Sequence, residues 1–114
     1  MNENMIKLPN KCYCGKLTVY PKNFEDNNAS LEKAWNISYR FYDPKFKKEF
    51  PKGKQRIVKG MNHHSTVIRR RKATNEIMEL ELDKLIFDGF NPITHEANTT
   101  AKILHGDFRR RAKH

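Results

Sequence analysis

The sequence predicts an α+β domain in which a three-stranded antiparallel sheet packs against one long C-terminal helix, with flexible termini. Three observations support this prediction. An aromatic segment alternates apolar and polar residues over 33–42, two shorter segments can pair with it, and a long helical pattern begins near Ser65 or Thr66. The length of 114 residues allows one domain with a small core.

Three regions are expected along the chain. Residues 1–15 and 93–114 show no sustained apolar period, which is typical of loose chain ends. We therefore expect a flexible N-terminal tail over 1–15, a folded domain over 16–92, and a linker or basic tail over 93–114.

The aromatic segment KAWNISYRFY is the clearest strand. Its apolar residues occupy every second position, so they lie on one face of an extended chain and polar residues lie on the other. These apolar residues are Trp35, Ile37, Tyr39 and Phe41. Residues 16–22 alternate in the same way and predict a first strand that ends near Pro21.

A third strand is expected around 55–59, after a turn that starts at Asp43-Pro44. Pro51 and Gly53 interrupt the returning segment, so its approach to the sheet is expected to be irregular. With Ile57 directed to the core, Lys54, Arg56 and Val58 share the outer face of the sheet.

The long helix is predicted to run from an N-cap at Ser65 or Thr66 to about Asp88, where Gly89 ends it. Two apolar stripes give it a broad face that can cover the aromatic strand. Its first two turns carry the cations of 69–72, although the helix dipole disfavours each by about 0.3–1 kcal/mol. Such a violation of a local rule often marks a functional site.

Positive charge is concentrated in one block. The segment 45–72 contains eleven basic residues and one acidic residue, Glu49, so its net charge of +10 equals that of the whole chain. The basic residues are Lys45, Lys47, Lys48, Lys52, Lys54, Arg56, Lys59, Arg69, Arg70, Arg71 and Lys72. Lys and Arg bind phosphates and release counterions, so this block predicts a nucleic acid as partner.

Other kinds of chemistry are not expected. The sequence has no GxSxG, P-loop, HExxH or GxGxxG motif, so we expect no enzymatic activity, cofactor or small-molecule substrate. Cys12, Cys14, His63 and His64 are zinc-ligand types, but their spacing is tighter than in usual zinc sites, and no metal site is expected.

The expected location is the cytoplasm, in association with the nucleoid. No apolar run approaches the roughly 18–20 residues of a membrane span, and the N-terminus lacks a secretory signal pattern. The C-terminal RRRAKH is either a second phosphate-binding arm or a solubilising tail.

The order of motifs resembles the N-terminal arm-type DNA-binding domain of tyrosine recombinases, the integrases of phages and conjugative transposons. The resemblance covers roughly Lys16–Pro92. Its most specific parts are the aromatic strand ending in Tyr42-Asp43-Pro44, the step Gly60-Met61-Asn62 before the helix, and the closing Gly89-Phe90-Asn91-Pro92.

The resemblance implies a three-stranded sheet that enters the major groove at arm-type sites, with a helix on its back. It implies that Thr18, Tyr20, Lys22, Ser38, Arg40, Lys54 and Arg56 face DNA. It also implies that Trp35, Ile37, Phe41, Ile57, Ala73, Ile77 and Leu80 pack beneath the sheet. From the charge block and the strand faces we add Tyr42, Lys47, Lys48, Lys59, Arg69 and Arg70 as DNA-binding candidates.

Two alternatives remain open. A small basic RNA-binding or ribosome-associated protein could use the same charge and stack bases on Tyr20 and Tyr42. A protein-interaction module could instead dock a partner, such as another recombinase subunit, on an acidic helix face formed by Glu76, Glu79 and Asp83.

Overall fold

The structure, a computed structural model, describes residues 5–97. In this part of the chain, one antiparallel sheet carries a helix on one of its faces. The strands are β1 (Ile6–Lys7), β2 (Tyr13–Cys14), β3 (Thr18–Tyr20), β4 (Asn36–Tyr42) and β5 (Lys54–Val58), and the helix is α1 (Val67–Phe87). The predicted α+β class and long helix are confirmed, whereas the sheet has five strands instead of three.

A bulge explains part of the difference in strand count. Cys14 of β2 pairs with Phe41, and Thr18 of β3 pairs with Ser38, so both strands follow the same edge of β4. Residues 15–17 lie between these pairs opposite only two residues of β4. The extra residue interrupts the ladder. The predicted first strand over 16–22 therefore corresponds to β3 alone, and β2 precedes it on the same edge of β4.

The sheet begins earlier in the chain than the sequence predicts. Ile6 of β1 pairs with Cys14, and both Cys12 and Cys14 are buried. The prediction of a tail over 1–15 is therefore wrong for residues 6–14, because these residues bury apolar side chains against the sheet. At the other end, the predicted tail falls largely on 98–114, including RRRAKH, which lie outside the described residues.

The core lies between β4 and α1. As predicted, Trp35, Ile37, Tyr39 and Phe41 are all buried. The last three share one face of β4, and Trp35 directly precedes the strand. Ala73, Ile77 and Leu82 of α1 pack against this cluster, and Leu85 is fully buried within it. The prediction that Leu80 packs beneath the sheet is wrong, since 51% of this residue is exposed.

Asn62 connects the loop after β5 to the start of β4. Its Oδ1 accepts a hydrogen bond from the backbone N–H of Trp35 at 2.7 Å, and its Nδ2 donates to the backbone carbonyl of Trp35 at 3.0 Å. One side chain thus satisfies both backbone groups of a buried residue, as a neighbouring strand would. Met61 beside it is fully buried. The Gly60-Met61-Asn62 step is therefore part of the structural framework.

Arg70 connects α1 to the same loop. Its guanidinium donates to the backbone carbonyl of His64 at 2.7 Å and to that of Asn62 at 3.0 Å, and it lies 5.5 Å from the ring centroid of Trp35. Only 6% of Arg70 is exposed. Arg70 was predicted to contact DNA, but the structure places it in the interior, where backbone carbonyls accept hydrogen bonds from its guanidinium.

The ends of α1 follow the predicted pattern. Thr66 is the N-cap, and its Oγ1 accepts a hydrogen bond from the N–H of Arg69 at 3.2 Å. Gly89 adopts a φ of +64°, which allows the N–H of Phe90 to donate to the carbonyl of Lys84 at 3.0 Å. The turn that follows is held by Asn91, whose Nδ2 donates to Asp43 Oδ2 at 2.9 Å.

The role of Arg70 can be tested with Arg70→Lys. Lysine keeps the charge but lacks the planar fork that serves several carbonyls at once, so we expect the free energy of unfolding to fall by about 2–3 kcal/mol. Urea denaturation measures this change. The matched control is Arg69→Lys at an exposed position, for which a change within about 0.5 kcal/mol is expected. Equal effects at the two positions would contradict the structural role of Arg70.

Candidate nucleic-acid interface

The register of β5 determines which of its side chains are available to a ligand. Ile37 pairs with Val58, Tyr39 with Arg56, and Phe41 with Lys54. Residues directly paired across an antiparallel sheet project from the same face. Arg56, Val58 and Lys54 therefore project from the face that carries α1, whereas Gln55 and Ile57 project from the opposite face.

This register corrects the sequence prediction by one residue. Ile57 was expected in the core, but it pairs with Ser38 on the other face and is 50% exposed. Arg56 and Lys54 were expected to face DNA together with Arg40, but they lie on the side of the helix. The predicted common surface of Arg40 and Arg56 does not exist.

A buried carboxylate explains why Arg56 faces the helix. Glu81 of α1 is only 2% exposed. Its Oε2 accepts hydrogen bonds from the hydroxyl of Tyr39 and from Nε of Arg56, the latter at 3.0 Å. Its Oε1 lies 3.4 Å from Nζ of Lys84. The buried charge is thus compensated by two cations and a hydroxyl, as burial of an ion requires.

The ionisation of this cluster follows from its contacts. Burial alone raises the pKa of Glu81, but hydrogen bonds from Arg56 and Tyr39 and the charge of Lys84 lower it below the usual 4.5. Burial and the hydrogen bond to Glu81 raise the pKa of the Tyr39 hydroxyl. Burial lowers the pKa of Arg56, and the contacts with Glu81 outweigh this effect and raise it. At neutral pH the carboxylate is therefore charged and the phenol neutral.

The Phe90 ring packs against the two cations of the cluster, Arg56 and Lys84. The guanidinium carbon of Arg56 lies 5.3 Å from the Phe90 ring centroid, and Nζ of Lys84 lies 4.4 Å from it. These distances are within the range of cation–π contacts. Arg56 is therefore held by a carboxylate on α1 and by an aromatic ring, on the sheet face opposite to Arg40.

The sheet face away from α1 carries a set of polar and aromatic side chains, which we call the open face. Its members are Thr18, Tyr20, Asn36, Ser38, Arg40, Tyr42, Gln55 and Ile57. Five of these are exposed, and Asn36, Ser38 and Tyr42 are half-buried. The face therefore offers amide, guanidinium, hydroxyl and aromatic groups to a ligand.

Cross-strand pairing arranges the open face in rows. Thr18, Ser38 and Ile57 form the middle row, in which the Thr18 and Ser38 hydroxyl oxygens are 3.3 Å apart. Arg40 and Gln55 form the adjacent row. Nη1 of Arg40 donates to the carbonyls of Lys52 and Gly53 at 3.3 and 3.2 Å, which orients the guanidinium along the sheet.

Two stacked tyrosines end the open face near the β4–β5 connection. The rings of Tyr13 and Tyr42 have centroids 4.7 Å apart and planes inclined by 7°. Tyr42 also covers Gly53, where an added Cβ would lie 2.7 Å from the ring and where φ is +81°. Glycine is therefore required at position 53 by both space and backbone conformation. The lysines of the β4–β5 connection follow Tyr42 in the sequence.

Most cations of the basic block are accessible. Eight of the eleven are exposed: Lys45, Lys47, Lys48, Lys52, Lys54, Lys59, Arg69 and Lys72. Lys22, another DNA-binding candidate, is exposed in the turn after β3. Of the remaining three, Arg56 and Arg70 are bound as described, and Arg71 donates from Nε to the carbonyl of Phe24 at 3.0 Å. The unusual cations at the helix start are thus partly structural.

Sequence reasoning missed four side chains near this face: Tyr13, Asn36, Gln55 and Ile57. Tyr13 lies in the segment that was predicted to be a tail. Gln55 and Ile57 were predicted on the face toward the helix, because the predicted register of β5 differs by one residue from the observed one. Asn36 carried a usable signal, since the alternation of β4 already placed it opposite Trp35 and Ile37.

Burial raises the pKa values of both cysteine thiols. Burial, with a contribution from Asp43, raises the pKa of Cys12 to about 11, and burial, with a contribution from Glu81, raises that of Cys14 to about 11. Both thiols are therefore protonated at neutral pH. His63 and His64 contact each other, with ring centroids 4.0 Å apart. Within residues 5–97, no group of three or more His, Cys, Asp or Glu could hold a metal ion.

The described part of the chain contains no helix with the length and apolar character needed to cross a membrane.

Comparisons of the chain with protein-family models, curated proteins and solved structures found no match. A functional assignment therefore depends on the geometry and charge of the open face, together with the sequence resemblance.

The Glu81 cluster predicts a specific pH dependence for Glu81→Gln. A carboxylate whose folded-state pKa is lowered stabilises the fold above its unfolded-state pKa, and this stabilisation is lost as the pH falls through the folded-state value. We expect the variant to lose about 2 kcal/mol of unfolding free energy at pH 7. The difference in unfolding free energy between the variant and the original protein should become smaller as the pH falls below 4.5.

Urea denaturation across this pH range measures the effect. Glu76→Gln serves as the control because Glu76 is exposed on the same helix, and its effect should stay within about 0.5 kcal/mol. A Glu81→Gln effect that is small, or that does not vary with pH, would contradict the proposed compensation of the buried charge.

Proposed function

We propose that this protein binds double-stranded DNA sequence-specifically, with the open face in the major groove and the exposed lysines on phosphates. The observation that carries the proposal is the open face itself. It is free of α1 and presents Arg40, Gln55 and Asn36, side-chain types that recognise base edges. Eight exposed cations of the basic block belong to the same small domain.

The dimensions of the sheet suit this role. Over their paired regions, β3, β4 and β5 form a three-stranded ribbon. With neighbouring strands about 4.8 Å apart, its backbone is about 10 Å wide. The major groove of B-DNA is about 12 Å wide and admits a β-ribbon. Side chains of the open face can therefore approach base edges, while lysines beside the sheet approach the phosphate backbones.

The phosphate contacts come from outside the open face. Lys47 and Lys48 lie in the β4–β5 connection, Lys59 directly follows β5, and Lys22 lies in the turn after β3. Arg69 adds a cation in the first turn of α1. Such contacts supply the sequence-independent part of affinity, whereas the open face supplies specificity.

The biological role that we propose follows from the sequence resemblance. The chain would act as the arm-type DNA-binding module of a tyrosine recombinase and would anchor an integrase to arm-type sites during site-specific recombination. Its partners would be duplex DNA and other recombinase subunits, in the cytoplasm at the nucleoid. The module itself would be non-enzymatic, with catalysis located elsewhere in the recombinase.

Salt dependence tests the electrostatic part of the proposal. If about five to eight phosphates are contacted, the slope of log affinity against log salt concentration should be about −5 to −7. Fluorescence anisotropy with a labelled duplex, over about 50–200 mM salt, measures this slope. Replacement of Lys47 and Lys48 by glutamine should make the slope shallower by about 2. A flat salt response would reject phosphate binding by these lysines.

The two arginines of the central strands give a matched test of the binding face. We expect Arg40→Ala to weaken binding to a preferred duplex about 5- to 100-fold, because a base-edge or groove contact is lost. Arg56→Ala should lower stability without a direct effect on DNA affinity, provided that affinity is measured where circular dichroism shows the variant folded. Equal losses of affinity would reject the orientation that we propose.

The same variants separate the alternatives. A protein-interaction module that uses the outer helix face predicts that Arg40→Ala leaves partner binding unchanged. An RNA-binding protein predicts that single-stranded RNA displaces duplex DNA at equal salt. We expect duplex DNA to compete more strongly, since the amide and guanidinium groups of the open face suit groove edges. Of the exposed aromatic rings on this side of the sheet, Tyr20 is 44% exposed, and Tyr13, at 38%, is already stacked on Tyr42.

A further inference from the structure

We infer that Ile57 is a specificity-determining residue that contacts the C5 methyl group of a thymine in the DNA target. This inference rests on the proposed function and adds the base that the open face selects at its centre. It assigns a role to a residue that the sequence alone places in the core.

The position of Ile57 is the first part of the argument. It lies in the middle row of the open face, where it pairs with Ser38, and it is 50% exposed. The next member of that row, Thr18, contacts Ser38 through its hydroxyl group. β5 pairs only with β4 among the described strands, so it is an edge strand and leaves Ile57 accessible from the side. Ile57 is thus the aliphatic member of a face made of polar and aromatic groups.

The chemistry of the major groove selects the partner of such a side chain. The base edges there present hydrogen-bond donors and acceptors, together with one apolar group, the thymine methyl. An isoleucine placed against a cytosine amino group or a guanine oxygen would remove that group from water without a hydrogen bond, which is unfavourable. Against a thymine methyl, the same side chain buries apolar surface on both partners. The middle row therefore favours an A·T pair and disfavours G·C.

The neighbouring residue on the same face supports an A·T preference. Gln55 is exposed and lies two residues from Ile57 on β5, so the two side chains project about 6.8 Å apart along the strand. This distance corresponds to about two steps of a DNA strand, each about 3.4 Å. Glutamine binds adenine through N6 and N7. Ile57 and Gln55 can therefore contact separate base pairs without competing for one.

The experiment begins with selection of preferred duplexes from a randomised pool by the full chain. Each thymine of a selected duplex is then replaced by deoxyuridine, which removes only the methyl group and leaves the protein unchanged. We expect one replacement to lower affinity about three- to fivefold, as loss of one buried methyl group predicts. For Ile57→Ala, affinities for the thymine and deoxyuridine duplexes should agree within about 1.5-fold.

The matched control is Ile68→Ala. Ile68 is 69% exposed on α1, outside the open face, so this variant should keep the full difference between thymine and deoxyuridine. Thermal unfolding checks that each variant is folded, and the deoxyuridine series with the original protein is independent of any mutation.

The outcomes distinguish this inference from the proposed function. If the original protein binds selected duplexes tightly but tolerates every deoxyuridine, or if Ile57→Ala keeps the same sensitivity, the contact with thymine is rejected and DNA binding stands. If no duplex is enriched or bound above the level of unrelated sequences, sequence-specific DNA binding is rejected, and the inference is rejected with it.

Discussion

The buried carboxylate of Glu81 is the constraint on which the arrangement of the sheet depends. An ionised group with 2% exposure needs cations and hydrogen bonds around it, and the sheet supplies them through Tyr39 of β4 and Arg56 of β5. A shift of β5 by one residue would replace Arg56 beside Glu81 with an uncharged residue and leave the carboxylate poorly compensated. The register of β5 is therefore determined by charge, and this register exposes Gln55 and Ile57.

Much of the fold was predictable from local patterns. The alternation of Trp35 with Ile37 and the following aromatic residues located the central strand and its buried face correctly. The N-cap Thr66 and the terminating Gly89 located the helix to within a residue or two. These features depend on residues that are close in the sequence, so residue type and spacing predict them directly.

The errors concern contacts between residues far apart in the sequence. Arg56 and Glu81 are 25 positions apart, and the sequence does not indicate that either charged side chain is in a partly buried ion pair. Arg70 was misjudged for the same reason, since its partners are backbone carbonyls and carry no sequence signal. Charge contributed to the assignment of basic residues to a binding surface, although structural arginines such as Arg70 contribute to the same charge. Arg40 was placed correctly because strand alternation fixed its face.

The contact of Tyr42 with Gly53 separates two parts of the molecule that differ in their tolerance of change. At the end of the β4–β5 connection, the Tyr42 ring packs on Gly53, and Arg40 donates a hydrogen bond to the Gly53 carbonyl. At its start, the Asp43 side chain accepts a hydrogen bond from the N–H of Lys45 at 3.0 Å. Between these anchors, Lys47, Lys48 and Lys52 are exposed. Charge changes at these exposed lysines can therefore occur without altering strand alignment. In the function that we propose, general affinity for a polyanion and selectivity for a base sequence would then depend on different residues of one small domain.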